Sequence, residues 1–192
     1  MTLEEERPQQ SALTEQKATI DTATGKAAPA TLSEERVLSI FSEIADQYEQ
    51  FNHASSFGQD RKWLERLADL APINSTSRVL DVAGGTGEVT FTLCRRYHPA
   101  SILLTDYTPG MLEVAKKRIS AGDARSVDVS CQVVDAQDMP FEDSSFDVVT
   151  MAYGIRNMPD RLRALREIHR VLVPGGTAVI LEFSQPTRPI ER

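Results

Sequence analysis

Cysteine is scarce in this chain, and the two that occur, Cys94 and Cys131, lie too far apart in sequence to suggest a disulfide framework. Two thiols without a framework suit a reducing compartment. Cys94 and His98 share an i, i+4 spacing, but no second ligand pair accompanies them, so ordinary packing is the expectation and no metal is expected. Basic residues are also in short supply: 21 Lys and Arg face 28 Asp and Glu, for a formal net charge of -7. That balance argues against a nucleic-acid partner, which would require a basic footprint for the phosphates. Long apolar runs are missing as well. Nothing approaches the roughly 20 residues that cross a bilayer, and the acidic, polar N-terminus is neither a secretory signal nor an Arg-rich transit peptide. The expectation is a cytoplasmic chain.

What is present is a chain of 192 residues with 41% hydrophobic content, enough for one domain with a real core plus appendages. Residues 1–30 are Ala, Thr, Gln, Glu, Ser and Pro with little aliphatic pattern, and read as a disordered tail. Thr31 and Glu34 form a capping box, after which Val37, Leu38, Phe41, Ile44, Ala45 and Tyr48 recur at helical spacing. A second helical pattern, Trp63, Leu64, Leu67 and Leu70, ends at Ala71-Pro72. Residues 31–73 therefore read as a helical extension or lid ahead of a core spanning 74–192.

Within that core, strands and helices alternate. Strands are expected at 78–82, 102–105, 129–134, 146–151 and 177–183, the last following a turn at Pro174-Gly175-Gly176. Helices are expected at 88–97, at 109–120 with Thr108 as N-cap and Pro109 first, and at 159–172 with Leu162, Leu165, Ile168 and Leu172 on one face. This alternation predicts an α/β fold with a doubly wound, mostly parallel, Rossmann-like sheet. Its ligands should gather at the carboxyl ends of the strands.

The glycine-rich turn "DVAGGTGE", Asp81 to Glu88, sharpens that expectation. It lacks the Gly-Lys-Ser/Thr of a phosphate-cradling Walker loop. It also departs from the dinucleotide fingerprint, because Thr90 stands where the third glycine would fall. Asp81 and Glu88 would sit close to a doubly negative pyrophosphate, and two carboxylates there suit a cation. S-adenosylmethionine fits: it offers an ammonium, a sulfonium and a ribose but no phosphate, and the glycines let backbone approach it. Asp106, ending the second strand, can accept hydrogen bonds from ribose hydroxyls, and Asp135, ending the third, from an adenine amino group. A strand-end cap stays open for both, and an NAD site stays open as a lesser alternative.

Longer segments carry a resemblance. "VLDVAGGTGE", "YGIRNMPDRLRALREIHRVLVPGG" and "ILEFSQP", with "YEQFNHASSFGQDRKW" ahead of them, are similar to the methyltransferases that C-methylate the quinol ring in ubiquinone and menaquinone biosynthesis, over roughly residues 34–187. The resemblance implies the S-adenosylmethionine-binding methyltransferase fold of class I, lacking its usual C-terminal strands, and hence a truncated chain or one that pairs with another. It implies a cofactor site from Asp81, Gly84, Gly85, Thr86, Gly87, Asp106, Asp135, Ala136 and Ala152. Arg156 and Asn157 are implied as catalytic, with Tyr48, Asn52 and Tyr153 on the substrate.

In that reading Arg156 stabilises a developing phenolate or holds the water that takes its proton, and Asn157 orients the ring oxygen. A salt-bridged loop residue is the plainer reading of Arg156. Plain packing is the plainer reading of Tyr48, Asn52 and Trp63. Asp60, Glu49, Phe51 and Ala152 depart from the family's usual His, Asp, Met and Ser. The implied reaction is demethylmenaquinol to menaquinol, with the benzoquinol of the ubiquinone pathway, or a non-catalytic S-adenosylmethionine binder, as alternatives. A prenylated acceptor implies transient contact with a membrane surface, where the net negative charge gives no help. A homodimer or a quinone-synthesis partner stays open.

Overall fold

The strand that precedes the glycine-rich turn is the centre of the sheet. In the computed structural model, which describes residues 58–183, β1 (Arg78–Val82) pairs with β2 (Ser101–Asp106) on one side and β4 (Phe146–Ala152) on the other. With β3 (Val129–Val133) outside β2 and β5 (Leu172–Leu181) outside β4, the order is β3-β2-β1-β4-β5 and every pairing is parallel. The connections run through α2 (Glu88–Arg96), α3 (Pro109–Ser120) and α4 (Arg161–Val171), with α1 (Asp60–Leu70) ahead of β1.

Period-two alternation sorts the sheet's side chains onto two covered faces. Val79, Ile102, Val148 and Val179 pack with Val89, Leu93 and Cys94 of α2 and with Leu64, Leu67 and Ala68 of α1. Leu80, Val82, Val149 and Met151 point the other way, onto Ala164, Ile168 and Val171 of α4. Burying each large side chain of this set contributes about 1.5–3 kcal/mol. Helix α1 is thus part of the main core. It is tied to α2 by Arg96, which pairs with Glu65 at 2.6 Å and with Asp69, and by the Tyr97 hydroxyl donating to the Ala68 carbonyl at 3.1 Å.

Two elements differ from expectation. The helix expected over 159–172 spans Arg161–Val171, because Asp160 is its N-cap and accepts a hydrogen bond from the Arg163 amide at 2.9 Å. Its buried stripe is Ala164, Ile168 and Val171, while Leu162 and Leu165 are exposed, at 66% and 37%. Tertiary hydrogen bonds set this rotation: Gln137 accepts from the Asp160 amide and Glu167 from the Met139 amide, both at 2.8 Å. Small Ala164 then faces the sheet, where a leucine had been expected.

The fifth strand begins at Leu172, five residues early. Phe146 pairs with Leu172 and Val148 with Thr177, so residues 173–176 bulge opposite Asp147. The expected turn is therefore a bulge inside the strand. Gly175 turns at φ +83°, and Gly176 passes so close to the Asp147 carbonyl that a Cβ would lie 3.0 Å from it.

Candidate active site at the carboxyl ends of the strands

The loop after β1 is held by backbone and by one buried carboxylate. The amide of Gly84 donates to the Thr105 carbonyl at 2.9 Å, and that of Gly85 to Asp106 Oδ2 at 2.9 Å. Gly87 caps α2 at φ +95°, and a Cβ there would come within 2.4 Å of the Phe91 ring. Only glycine suits that position. Beneath the loop, fully buried Asp81 accepts from the Thr90 amide at 3.1 Å, the Thr90 hydroxyl at 2.6 Å and the Thr150 hydroxyl at 2.9 Å. Burial pushes its carboxyl up to about 6 despite these bonds, which favour the charged form. Thr90, which replaces the third glycine of the dinucleotide pattern, is there to hold Asp81.

A cleft opens where the strands end. Its floor is Gly84, Gly85 and Thr86 after β1, Asp106 to Thr108 after β2, Asp135 to Gln137 after Val134, and Ala152 to Gly154 after β4. Asp60 and Leu64 of α1 and Asn157 and Met158 near a 3₁₀ turn (Ile155–Asn157) complete the walls. Ala83 and Tyr153, at the ends of neighbouring β1 and β4, both take left-handed backbone, at φ 51° and 59°. Such a conformation costs a non-glycine residue about 1–2 kcal/mol and concentrates at functional sites. Gly154 lets the two ends approach: a Cβ on it would lie 2.7 Å from that of Ala83.

Two strand-end carboxylates are oriented by their own loops. Asp106 accepts from Gly85 and, at 2.8 Å, from the Thr108 amide, and its carboxyl is raised by burial. Asp135 accepts from the Gln137 amide at 2.8 Å and its side-chain nitrogen at 3.1 Å. Thr86, only 1% exposed, has a buried hydroxyl with no hydrogen-bond partner among the described residues, and it lines the cleft. Buried polar atoms without partners are rare, and one in a cleft wall marks a place for a ligand atom.

Three expected site residues lie elsewhere. Asp81 sits beneath the loop and Gly87 turns against Phe91, so neither lines the cleft. Of the two carboxylates expected beside a cation, Asp81 is thus withdrawn beneath the loop, and Glu88 lines the cleft but pairs with Arg118 at 2.7 Å. Arg156 is outside the lining too. Its guanidinium is ion-paired with Glu182 and lies over the rings of Tyr153 and Phe183, 5.5 and 5.4 Å from their centroids. Its plainer reading, a salt-bridged loop residue, describes that arrangement. Phe183 in turn stacks on Tyr153 at 4.9 Å and meets Trp63 edge-on at 5.5 Å.

Tyr48 and Asn52 fall outside the described residues, as do the tail and the helix expected from Thr31. Cys94 is fully buried, its thiol pushed up to about 11 by burial. Among the described residues no group of three or more His, Cys, Asp or Glu is placed to hold a metal, and no helix is long and apolar enough to cross a membrane. Reasoning from sequence missed Asp60 as a lining residue, since it comes from a helix outside the strand-and-turn pattern. It also missed Tyr107 and Thr108, which a strict reading of strand-end position after Asp106 would have found.

An all-parallel sheet of this order, with a glycine loop after its first strand and carboxylates ending the next two, defines the Rossmann-like fold of class I methyltransferases. Solved structures agree. The YcgJ protein of Bacillus subtilis is 27% identical with a TM-score of 0.61, over 68% of this chain and 54% of that one. A SAM-dependent methyltransferase of Thermotoga maritima is 25% identical with a TM-score of 0.58, over 74% and 59%.

The model of the ubiE/COQ5 methyltransferase family matches residues 30–192, and the chain belongs to that family. Curated relatives include a ubiquinone/menaquinone biosynthesis C-methyltransferase of Geobacter sp., 42% identical over 159 residues, and a demethylmenaquinone methyltransferase of Thermus thermophilus, 42% identical over 149. These alignments cover 81% and 78% of this chain. The chain spans 66% of the length of each relative.

Proposed function

We propose that this chain binds S-adenosylmethionine in the strand-end cleft and takes part in C-methylation of a prenylated quinol, with demethylmenaquinol as acceptor. The observation that carries the reading is a single cleft with two kinds of wall. One holds Asp106, Asp135 and the unpaired Thr86 hydroxyl; the other holds Tyr153 and Asn157. Menaquinone stands in the names of both relatives cited, ubiquinone in only one, which favours the naphthoquinol.

The residues fit the cofactor. The carboxylate of Asp106 keeps lone pairs for two ribose hydroxyls, Asp135 and Ala136 border the place of the adenine, and Thr86 offers a hydroxyl to the remaining polar atoms. When bound, S-adenosylmethionine supplies an electrophilic methyl group on a sulfonium. The chain's own part is positioning and charge. Tyr153 lines the cleft and gives the quinol ring an aromatic neighbour. The Asn157 amide orients the ring oxygen next to the carbon to be methylated. Arg156, over Tyr153, supplies positive charge for the phenolate once it exchanges its bond to Glu182. Holding the ring carbon in line with the methyl group provides much of the acceleration.

The test pairs calorimetry with turnover. S-adenosylmethionine should bind the full chain, and Asp106→Ala should abolish that binding. With demethylmenaquinol, Asn157→Ala should lower methyl transfer by about 10²-fold while cofactor affinity stays unchanged. Binding retained by Asp106→Ala would refute the cofactor site. Turnover retained by Asn157→Ala would refute the acceptor wall.

A further inference from the structure

We propose that Gln137 is a positioning residue for the cofactor: its side-chain amide fixes the Asp135 carboxylate so that one oxygen accepts from the amino group of adenine, and it thereby sets the cleft's preference for adenine over a purine without that amino group. This rests on the cofactor reading above. Gln137 is half-buried and lines the cleft beside Asp135 and Ala136.

Both ends of the Gln137 side-chain amide are committed. Its Oε1 accepts from the Asp160 backbone amide at 2.8 Å, and its Nε2 donates to Asp135 Oδ1 at 3.1 Å, with Oδ2 3.4 Å away. A backbone N–H only donates and an ionised carboxylate only accepts, so the two neighbours dictate which end of the amide carries the nitrogen. Glutamate would keep the acceptor for Asp160 and lose the donor for Asp135, methionine would keep the length and lose both, and asparagine is one methylene short. The backbone amide of Gln137 donates to the same Asp135 Oδ1 at 2.8 Å. That oxygen therefore takes two donors, as many as its lone pairs accommodate, while Oδ2 has only the 3.4 Å contact. Oδ2 is the oxygen left for a ligand.

The loop that carries Asp135 and Gln137 is anchored independently of this amide. The Met139 backbone amide donates to Glu167 Oε2 at 2.8 Å, and the Met139 carbonyl accepts from Arg170 at 2.9 Å, both partners lying on α4. Loss of the Gln137 side-chain bonds leaves those attachments in place, and what changes is the aim of one carboxylate. Adenine presents an amino group that donates to Oδ2, whereas a purine with an oxygen in that place presents an acceptor to an acceptor. A hydrogen bond to an ionised group separates two such ligands by about tenfold or more, provided the carboxylate is held toward the donor.

The test is calorimetric titration of the full chain with S-adenosylhomocysteine and with S-inosylhomocysteine, which carries an oxygen in place of the adenine amino group. The unsubstituted chain should bind the adenosyl ligand about tenfold or more tightly than the inosyl one. Gln137→Met and Gln137→Glu should each shrink that ratio about threefold or more by weakening the adenosyl ligand. On an Asp135→Ala background, Gln137→Met should change the ratio no further, because its effect runs through that carboxylate. Circular dichroism melts establish that the variants fold. Equal binding of the two ligands by the unsubstituted chain overturns the proposal, and so does a ratio retained by Gln137→Glu, which still accepts from Asp160, or a variant that weakens both ligands alike. A further fall in the ratio on the Asp135→Ala background overturns it as well. Failure of both ligands to bind the folded, unsubstituted chain overturns the cofactor reading instead.

Discussion

Asp81 makes the stability of this fold depend on pH in a direction opposite to most aspartates. The carboxyl is fully buried, and desolvation raises it from 3.8 to about 6, with the negative charge of Asp106 adding to the rise. In the unfolded chain it ionises at the ordinary value. Between the two values the folded protein holds a proton that the unfolded chain releases. The contribution to stability is therefore complete below 3.8 and is lost as pH rises through about 6. At 1.36 kcal/mol per pKa unit the loss amounts to about 3 kcal/mol.

Asp81→Asn has no such titration. Its amide keeps the hydrogen bonds, the oxygen accepting from Thr90 and the nitrogen donating to a rotated Thr150 hydroxyl. Urea unfolding of both proteins at pH 4, 5, 6, 7 and 8 isolates the effect, because other titrating groups cancel in the difference. The stability of the unsubstituted chain minus that of Asp81→Asn should fall by about 2 kcal/mol from pH 4 to pH 7, the part of the full loss that lies in this window, and then level off. A difference that stays constant, or that grows with pH, refutes the reasoning. Asp81→Ala provides the contrast: it leaves the Thr90 amide and two hydroxyls without an acceptor, at about 1–3 kcal/mol for each unpaired group, at every pH.

Two further substitutions test local geometry. Gly87→Ala forces a side chain onto φ +95° and into the Phe91 ring, and should lower stability by about 2–4 kcal/mol, read as a fall in urea midpoint with unchanged slope. An unchanged midpoint would mean the loop can move away from Phe91. Asp160→Ala removes the acceptor of the Arg163 amide and should cost about 1 kcal/mol, which thermal unfolding would register as a drop of a few degrees. Asp160→Asn should restore it.

Much of the fold was legible because its signals are local. The aliphatic residues Val79, Leu80 and Val82 and the glycines after them mark β1 and its turn whatever surrounds them, and Pro109 opens α3 where its missing amide hydrogen does no harm. Asp106 and Asp135 were readable as cleft residues because strand-end position follows directly from strand assignment. Helix α4 was readable as a helix but not in its rotation. Its sequence offers apolar residues on more than one side, and the bonds of Gln137 and Glu167 to distant amides choose among them. The Pro174-Gly175-Gly176 segment reads locally as a turn. Only the close passage of Gly176 against β4 makes it a bulge within β5.

The sequence alone determined the class of fold, the order of its elements and the carboxylates at the ends of β2 and β3, since hydrophobic period, turn chemistry and caps act over a few residues. Tertiary structure decided which charges face the cleft. Thr150, 69 positions from Asp81, helps turn that carboxylate under the loop. Glu182, 26 positions from Arg156, pairs with the guanidinium away from the cleft lining. Packing of α1 on the sheet brings Asp60 to the cleft wall. Each of these outcomes depends on a partner that only folding brings near, and no spacing along the chain encodes it.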